Sequence, residues 1–449
     1  MLLSILGVVM VRKKKSSEFD NSSRVLLANV KHGSKNHKAA KRLTQIARRI
    51  SNRANFIMRK DLFTGRKPDQ SKVDKLMKQA RLSEGDKALY NRLPAAVSQR
   101  SIQIVGDNWK SFAAAKADYK KSPEKYESAP KPPKYSKYSK TVYIPCSSFF
   151  IKGSQLHFAK KLELNPISLK RGMFPDQKYN EQALKKVVNE VRLVPTGSGF
   201  RFEIIYDMHK TSDFSSSNHS VLFDKSSFIS IDLGVSRFAA LVSNKAGFSP
   251  ILINGGELKR INQSYNKRCA KLRSLGKYGH IKTVAAKRTR RIKDKLHKIS
   301  RFIVDLCKLH DIGTVIVGKN HQWKKEINIG KRNNQNFVSL PHSMFISMLK
   351  YKLREFGITL IEQEESYSSK ASYIDGDVIP TYEKTKKGEE KKKYSFSGRR
   401  VKRGLYKTKE NLLINADING AACISRKAGY ENASIVTGGV VNTPILVGL

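Results

Sequence analysis

The sequence predicts a multidomain protein in which an α/β domain accompanies a small β-barrel that carries a helical insertion. Three observations predict this fold class. The chain has 449 residues, which exceeds one ordinary hydrophobic core, so two or three domains are expected. Helical periodicity near the start gives way to strand patterns after residue 141. From residue 228 onward, short apolar strands alternate with long helices, as in α/β domains.

The charge balance predicts a polyanionic partner. The chain has 87 Lys and Arg residues against 37 Asp and Glu residues, which gives a net charge of +50 and a pI near 10.2. A surplus of this size indicates nucleic acid binding. The alternative is a lysine-rich surface that promotes solubility, but acidic and basic residues would then be closer to balance.

The cysteines and the apolar segments indicate where the protein works. The four cysteines form no C-x-x-C pair, so they predict neither a disulfide framework nor a zinc ribbon and fit a reducing compartment. No apolar run is long enough for a membrane span, and the order of charge and apolar residues in the opening segment is wrong for a secretory signal. We expect no membrane partner. The expected location is cytoplasmic and nucleoid-associated, or nuclear if the source is eukaryotic.

In the first half, the patterns predict helices inserted between the strands of the barrel. The expected elements are a strand at 24–31, helices at 37–63, 72–82 and 94–119, and β-hairpins at 141–160 and 186–206. We assign 24–33 and 141–208 to the barrel, 34–121 to the helical insertion, and 122–140 and 209–225 to linkers.

Two parts of this half are candidates for contact with nucleic acid. One face of the predicted helix 37–63 is basic and almost free of acid, which favours phosphate contact over an ordinary solvated face. Its candidate residues are Lys41, Arg42, Arg48, Arg49 and Arg53. The linker 122–140 alternates tyrosine with lysine, so Tyr135 and Tyr138 are candidates for base stacking. A stiff basic linker explains the same composition equally well.

The second half predicts the sheet of an RNase H-like domain. Residues 228–243 and 250–253 predict three meandering strands, helices follow at 257–275 and 283–309, and a strand, a helix and a strand are expected at 314–317, 342–356 and 358–363. The segment 380–409 is rich in lysine and glycine and predicts a mobile basic loop. Further nucleic-acid candidates in this half are Lys287, Arg288, Arg290, Arg291, Arg399, Arg400 and Arg403.

Isolated carboxylates accompany separate elements of this predicted domain. Asp232 ends the first strand, Glu364 and Glu365 follow the last strand, and Asp417 begins a final helix. The carboxyl ends of parallel strands meet at one edge of a sheet. Carboxylate oxygens suit Mg²⁺, and two such ions can hydrolyse a phosphodiester, with Mn²⁺ as a possible substitute. Asp232, Glu365 and Asp417 are therefore candidate catalytic metal ligands, with Glu364 as the alternative to Glu365.

Several ordered motifs carry a resemblance to a known family. They are IDLGVSRFA, VGKNHQWKKEINIGKRNNQNF, EESYSSKASYIDGD, SGRRVKRGLYK and NADINGAACISRK, and they extend from about residue 228 to residue 426. Together they resemble the TnpB family of transposon-encoded nucleases, which is similar to Fanzor proteins and to compact type V CRISPR effectors. Trp323 and Lys324, within the second motif, are two further candidates for nucleic-acid contact.

The resemblance implies an RNA-guided DNA endonuclease with one RuvC-type site. Its partners would be a guide RNA derived from the transposon and double-stranded target DNA with a short adjacent motif. It further implies a RuvC domain at 226–430 with a basic insertion at 371–409, a wedge domain formed by the barrel, a recognition domain formed by the helical insertion, and tails at the two ends of the chain.

Two departures from the family pattern affect the expected site. Relatives carry a glutamate after the strand that here ends Val-Ile-Val, but this chain has Gly318. Some relatives carry a relocated glutamate, and Glu365, ahead of Ser368 and Ser369, matches that position. Relatives also carry C-x-x-C pairs in the region that here contains Ala371, so no zinc is predicted.

Two alternatives to a nuclease remain open at this stage. The first is a nuclease-inactive RNA-guided DNA-binding protein, acting as a repressor or a transposition accessory, and Gly318 favours it. The second is a general basic RNA-binding protein, which explains the charge but not three separately placed carboxylates.

Overall fold

The computed structural model describes residues 23–79, 84–169, 181–197, 199–207, 223–319, 340–381, 394–431 and 444–448. The chain divides into two compact units, Met1–Ser217 and Asn218–Leu449. The division falls inside the segment 209–225 that we assigned to a linker, most of which lies outside the described residues. Trp323 and Lys324 also lie outside the described residues.

Unit 1 contains the helical segment predicted from periodicity. Its helices are α1 (Lys35–Phe63), α2 (Gln70–Lys78), α3 (Glu84–Tyr90), α4 (Ala95–Lys121) and α5 (Glu181–Val187). Helix α1 begins after Ser34, whose side chain accepts a hydrogen bond from the backbone N–H of His37, a standard N-cap. The apolar stripe of α1 is buried at Leu43, Ile46 and Ile50, as its spacing predicts.

The strands of unit 1 form two sheets. They are β1 (Ser23–Asn29), β2 (Val142–Pro145), β3 (Phe149–Lys152), β4 (Gln155–Phe158), β5 (Ile167–Ser168), β6 (Val188–Thr196) and β7 (Gly199–Asp207). One antiparallel sheet has the order β1-β7-β6-β2, and the other has the order β3-β4-β5. As predicted, α1 to α4 are inserted between β1 and β2.

The prediction of one small β-barrel is not confirmed by this arrangement. Among the described strands of unit 1, the two sheets share no hydrogen-bonded edge, although they pack around one core. Phe158 of β4 and Phe202 of β7 stack across that core with ring centroids 5.5 Å apart. The physical reason lies at Pro145, which has no N–H to donate and ends β2. The turn Cys146–Ser148 then redirects the chain into the second sheet.

Unit 2 is built around a mixed sheet of six strands. The described strands of unit 2, which include those of a second, smaller sheet, are β8 (Asp224–Leu233), β9 (Arg237–Ser243), β10 (Ile251–Asn254), β11 (Ile312–Gly318), β12 (Thr359–Gln363), β13 (Arg399–Lys402), β14 (Leu405–Lys407), β15 (Leu413–Asn415) and β16 (Ile445–Val447). Its helices are α6 (Gly256–Ser274), α7 (Tyr278–Leu309), α8 (His342–Arg354) and α9 (Ala416–Lys427).

The main sheet has the order β12-β11-β8-β9-β10-β16. Strands β8, β9 and β10 are antiparallel neighbours, whereas β11 and β12 run parallel to β8. This is the predicted element order. Every residue of β11 is buried, because a strand in the middle of a sheet is covered on both faces.

The alternation of β8 assigns its residues to two layers. Ile229 and Ile231 pack in the core that contains residues of α7 and α8. The intervening Ser230 faces the other layer, where its hydroxyl donates to the carbonyl oxygen of Ala421 in α9 at 2.7 Å. Strand β8 and helix α9 are therefore joined by a buried hydrogen bond. Asp232 is two residues further on and lies on the same face of the sheet as Ser230.

Two short elements of unit 2 differ from the sequence prediction. Part of the segment predicted as a mobile basic loop forms the hairpin β13–β14, which pairs with β15 to make a three-stranded sheet. Tyr406 anchors it: the ring is fully buried and its hydroxyl donates to the carbonyl oxygen of Lys370 at 2.8 Å. Residues 445–447, predicted as a tail, form β16 beside β10. In the part of the chain that the structure describes, no helix has the length and apolarity to cross a membrane.

Candidate functional site

Asp232 lies at the carboxyl-terminal end of β8, against the backbone of α9. The side chain is half-buried, and a Cβ atom added to Gly420 of α9 would lie 2.8 Å from its Oδ2 atom. Gly420 comes three residues after Asp417, so both belong to one face of the helix, one turn apart. The absence of a side chain at position 420 thus lets the Asp232 carboxylate approach the turn that carries Asp417.

Asp417 lies in the first turn of α9. Asn415 caps this helix, accepting hydrogen bonds from the N–H groups of Asp417 at 3.0 Å and Ile418 at 3.2 Å. The Asp417 Oδ1 atom accepts a hydrogen bond from Arg400 Nη2 at 3.0 Å. Arg400 belongs to β13, and its Nε also donates to the carbonyl oxygen of Arg403 at 2.9 Å. The basic hairpin therefore reaches the candidate site through an ion pair.

Glu365 occupies the space that a side chain at position 318 would need. The pairing of Val317 with Ile231 places Gly318 at the level of Asp232 on the neighbouring strand. A Cβ atom added to Gly318 would overlap Glu365 Oε2 and would lie 2.6 Å from Ile424 Cδ1. The Glu365 carboxylate thus lies beside Gly318, the position at which the resemblance implies a glutamate.

Glu364 points to a different partner. Its carboxylate forms an ion pair with Lys427 of α9 and accepts a hydrogen bond from the N–H of Ser366 at 2.8 Å. Partial burial alone would raise the pKa of Glu364, but the bonds from Lys427 and Ser366 outweigh it and lower that pKa. Lys427, only 5% exposed, also donates to the carbonyl oxygens of Ser366 at 3.0 Å and Pro380 at 2.8 Å. Glu364 therefore neutralises a buried lysine.

Neighbouring carboxylates raise the pKa of both Asp232 and Glu365. Burial raises the pKa of Asp232, the charge of Asp417 raises it further, and Arg400 opposes both. Burial also raises the pKa of Glu365, assisted by the charges of Asp232 and Glu364 and opposed by Lys427. Carboxylates that raise one another's pKa in a partly buried place are costly unless a proton or a cation offsets them.

The donor set fits a hard divalent cation. All three groups offer carboxylate oxygens, the ligands that Mg²⁺ prefers. Across the described ranges, no three His, Cys, Asp or Glu side chains converge closely enough to hold one metal ion. At this site Asp417 bonds to Arg400 instead. Arg400 therefore competes with a cation for the Oδ1 atom of Asp417.

The loop that follows the site is held by hydrogen bonds to side chains. Asn419 of α9 accepts from the N–H of Tyr373 at 3.0 Å and donates to the carbonyl oxygen of Ala371 at 2.8 Å. Asp377 accepts from the N–H of Ser372 at 2.7 Å and from Ser397 Oγ at 2.6 Å. We call residues 371–377, with these partners, the loop clasp. Asp375, a further clasp residue, accepts from the N–H of Lys409 at 3.0 Å.

The predicted basic contacts divide into exposed and internally bonded residues. The exposed ones are Lys41, Arg49, Tyr135, Tyr138, Lys287, Arg290, Arg291, Arg399 and Arg403, whereas Arg400 is both exposed and bonded to Asp417. Arg42 pairs with Glu163 at 3.2 Å, Arg48 donates to the carbonyl oxygen of Lys137 at 3.0 Å, and Arg288 donates to Asn262 at 2.6 Å. Arg53 lies over the ring of Phe56, 5.2 Å from its centroid.

Several residues that shape the site were missed from sequence alone. Ser230, Arg400 as a partner of Asp417, and Lys427 act through contacts between distant parts of the chain, which no local pattern reports. Gly420 did leave a signal, because a glycine inside a helix usually has a packing reason.

Two protein-family models match consecutive parts of unit 2. The model OrfB_IS605, described as a probable transposase, matches residues 219–324, which include Asp232. The Cas12f1-like TNB domain matches residues 342–424, which include Glu365 and Asp417. No curated protein matches the chain.

Two solved structures are also similar to the chain. The first is a cryo-EM structure of a Cas12f1–sgRNA–target DNA complex. Its alignment covers 92% of this chain and 99% of the Cas12f1 chain, with 15% sequence identity and a TM-score of 0.33. A cryo-EM structure of a CRISPR-Cas12f ternary complex is 14% identical, covers 86% of this chain and 80% of its own, and has a TM-score of 0.32.

Unit 2 is therefore similar to a probable transposase in its first part and to a Cas12f1-like domain in its second part. Both matches agree with the resemblance to the TnpB family that the motifs carry.

Proposed function

We propose that this protein is an RNA-guided DNA endonuclease that hydrolyses phosphodiester bonds at a RuvC-type site formed by Asp232, Glu365 and Asp417. The observation that carries the proposal is pairwise: Glu365 lies beside Gly318, at the level of Asp232 on the neighbouring strand, and Gly420 lets Asp232 approach the turn of α9 that carries Asp417. The charge of Asp417 raises the pKa of Asp232, and the charge of Asp232 raises the pKa of Glu365, which supports a shared cation. The matches to a probable transposase and a Cas12f1-like domain, and the net charge of +50, support nucleic-acid partners.

The proposed cofactor is Mg²⁺, as two ions, with Mn²⁺ as a substitute and no zinc. When bound, such ions would activate a water molecule and stabilise the leaving oxygen of the phosphodiester. Asp232 and Asp417 would supply oxygens from the strand and the helix, and Glu365 would replace the family glutamate beside Gly318. Arg400 would exchange Asp417 for a phosphate of the DNA, since a guanidinium binds carboxylate and phosphate in the same way.

Sequence reading would belong to the guide RNA. In this class of mechanism, base pairing between guide and target supplies the specificity, while the protein contacts the heteroduplex through its shape and backbone. We propose a guide RNA derived from the transposon and a double-stranded DNA target with a short adjacent motif. The domain assignments follow the same scheme, with a RuvC domain at 226–430, a wedge domain and a recognition domain.

The test starts from RNA that co-purifies with the protein. That RNA is sequenced, and matched double-stranded DNA is incubated with the complex and Mg²⁺. We expect cutting by the unmodified protein, no cutting by Asp232→Ala or Asp417→Ala, and unchanged DNA binding by both variants. Asp305→Ala is the matched control, because this exposed carboxylate of α7 pairs with Arg301 at 3.0 Å. Cutting that persists in Asp232→Ala would exclude the proposed site.

A comparison of the tandem glutamates identifies the third ligand. Glu365→Gln should abolish cutting, because this carboxylate lies beside Gly318 and near Asp232. Glu364→Gln should leave the folded protein able to cut, because Glu364 pairs with Lys427. The reverse result would assign the ligand to Glu364.

A nuclease-inactive RNA-guided DNA-binding protein is the second candidate. Gly318 and the ion pair between Arg400 and Asp417 favour it, since the first lacks the family carboxylate and the second engages a ligand. Stable binding of matched DNA without cutting in either Mg²⁺ or Mn²⁺ would decide for this candidate.

A further inference from the structure

The segment that follows α4 is attached along α1 through its backbone. Asn52 Nδ2 and Oδ1 bond to the carbonyl and N–H groups of Ser136 at 3.0 and 2.9 Å. Arg59 Nη1 donates to the carbonyl oxygen of Pro133 at 2.8 Å, and the N–H of Lys140 donates to the carbonyl oxygen of Thr44 at 3.2 Å. We call residues 133–140 the tyrosine strap. Its backbone makes these attachments, while the rings of Tyr135 and Tyr138 are exposed.

The strap and α1 together present four exposed aromatic rings. Tyr138 is 77% exposed, Tyr135 46%, Phe63 72% and Phe56 47%. Such exposure is unusual for rings that gain from burial, and a group of them indicates an interaction surface. Phe56 and Phe63 are seven residues apart, so they lie on one side of α1 about two turns apart.

Guanidinium groups lie over three of these rings. Arg59 lies over both Tyr135 and Phe63, with its Cζ atom 5.4 and 5.8 Å from the ring centroids. Arg53 lies over Phe56 at 5.2 Å. Aromatic rings and guanidinium planes are the two kinds of surface on which unpaired bases stack.

The charge around the rings favours a nucleic acid over an apolar protein segment. Lys134 and Lys137 of the strap are exposed. Helix α1 contains one acidic residue, Asp61, which is buried and lies 3.8 Å from Lys72. An apolar partner would be surrounded by uncompensated positive charge, whereas a phosphate backbone would neutralise it.

We propose that the tyrosine strap and the exposed face of α1 form a stacking platform for unpaired bases of single-stranded RNA. The inference rests on the proposed function in one respect: that function gives the protein a resident RNA and a DNA partner that arrives double-stranded. Duplex bases are already stacked on one another, so the rings would gain little from a duplex. Lys134 and Lys137 would hold the phosphates of the same strand.

The test measures RNA binding by full-length protein from which bound RNA has been removed. The probe is a labelled unstructured RNA of about 12 nucleotides, within the usual range of single-strand sites. The same sequence as single-stranded DNA, and a blunt RNA duplex, are the other two arms. Binding is measured by fluorescence anisotropy across a salt series without Mg²⁺. The variant is Phe63→Ala/Tyr135→Ala/Tyr138→Ala.

We expect the triple variant to bind the single-stranded RNA at least about tenfold more weakly, because each stacked base contributes measurably. Its salt dependence should stay unchanged, because no charge is removed. Duplex binding should change by less than about twofold, because the variant loses only stacking on unpaired bases, which a duplex does not offer. The matched control Phe150→Ala/Tyr278→Ala/Tyr351→Ala removes rings of similar exposure and should bind like the unmodified protein.

Three results would overturn the platform. They are unchanged RNA binding by the triple variant, an equal loss for the duplex, and tighter binding of the single-stranded DNA than of the RNA. Thermal unfolding of both triple variants verifies that they fold. Because no cleavage is measured, a failure of the nuclease proposal would leave these binding results intact, and a failure of the platform would leave Mg²⁺-dependent cutting intact.

Discussion

At the scale of single residues, the site depends on Gly318, whose lack of a side chain leaves room for the Glu365 carboxylate. A side chain at position 318 would meet the Glu365 carboxylate and Ile424. Gly318→Glu alone should therefore abolish cutting through steric conflict, and Glu365→Ala alone should abolish it through loss of a ligand. The double variant should regain part of the activity, because the new carboxylate enters the space that Glu365 leaves. Rates of cutting for the three variants test this, and an active Gly318→Glu single variant would contradict it.

Arg400 competes with cations for the Asp417 carboxylate. Without nucleic acid, Arg400→Gln should raise the affinity for Mn²⁺ by about threefold to fivefold, as expected for a partly exposed ion pair. Isothermal titration with Mn²⁺ alone measures this effect. Arg403→Gln is the matched control, since this exposed neighbour contributes its carbonyl oxygen to the Arg400 contact. Equal affinities in all three proteins would show that Arg400 does not compete.

At the scale of elements, the loop clasp fixes the segment between β12 and the basic hairpin. Asn419 is 2% exposed and satisfies two backbone groups. Asn419→Ala leaves them unpaired, which should cost about 1–3 kcal/mol of unfolding free energy. Thermal unfolding and hydrogen exchange of residues 371–377 should both reveal the loss, whereas Glu410→Ala, an exposed neighbour, should reveal none.

The same clasp leads to a prediction about metal removal. Because side-chain and backbone hydrogen bonds hold this loop, a zinc-selective chelator should leave the unfolding temperature unchanged. A lowered unfolding temperature, restored by added zinc, would show that a metal ion contributes to the loop after all. The magnesium proposal is independent of this result, because a zinc-selective chelator spares Mg²⁺.

At the scale of the whole molecule, the net charge of +50 sets the response to salt. If six or more phosphates are contacted, affinity for unrelated DNA should fall by about 10³-fold between about 50 and 200 mM salt. Anisotropy with labelled duplexes of unrelated sequence measures the slope. A shallow slope, shared by duplexes of any sequence, would mean that most of the surplus charge lies away from nucleic acid.

Long, periodic elements of the molecule could be predicted from sequence, and short or distant ones could not. The order of β8 to β12 follows from apolar runs between turn signals, and Asp232 and Asp417 stand at the end of one such run and at the start of a helical pattern. Strand β13 is mostly basic and β16 has only three residues, so neither shows a strand pattern. The partners of Arg400 and Lys427 depend on chain folding, which brings together residues 17 and 63 positions apart.

Ser230 helps to set the distance between Asp232 and Asp417. Its hydroxyl, sealed from solvent, joins the strand that carries Asp232 to the helix that carries Asp417. The distance between the two carboxylates thus depends on a buried contact rather than on the acids themselves. An engineer who wished to accommodate a cation of another radius would begin with this hidden hydroxyl and leave both acids untouched.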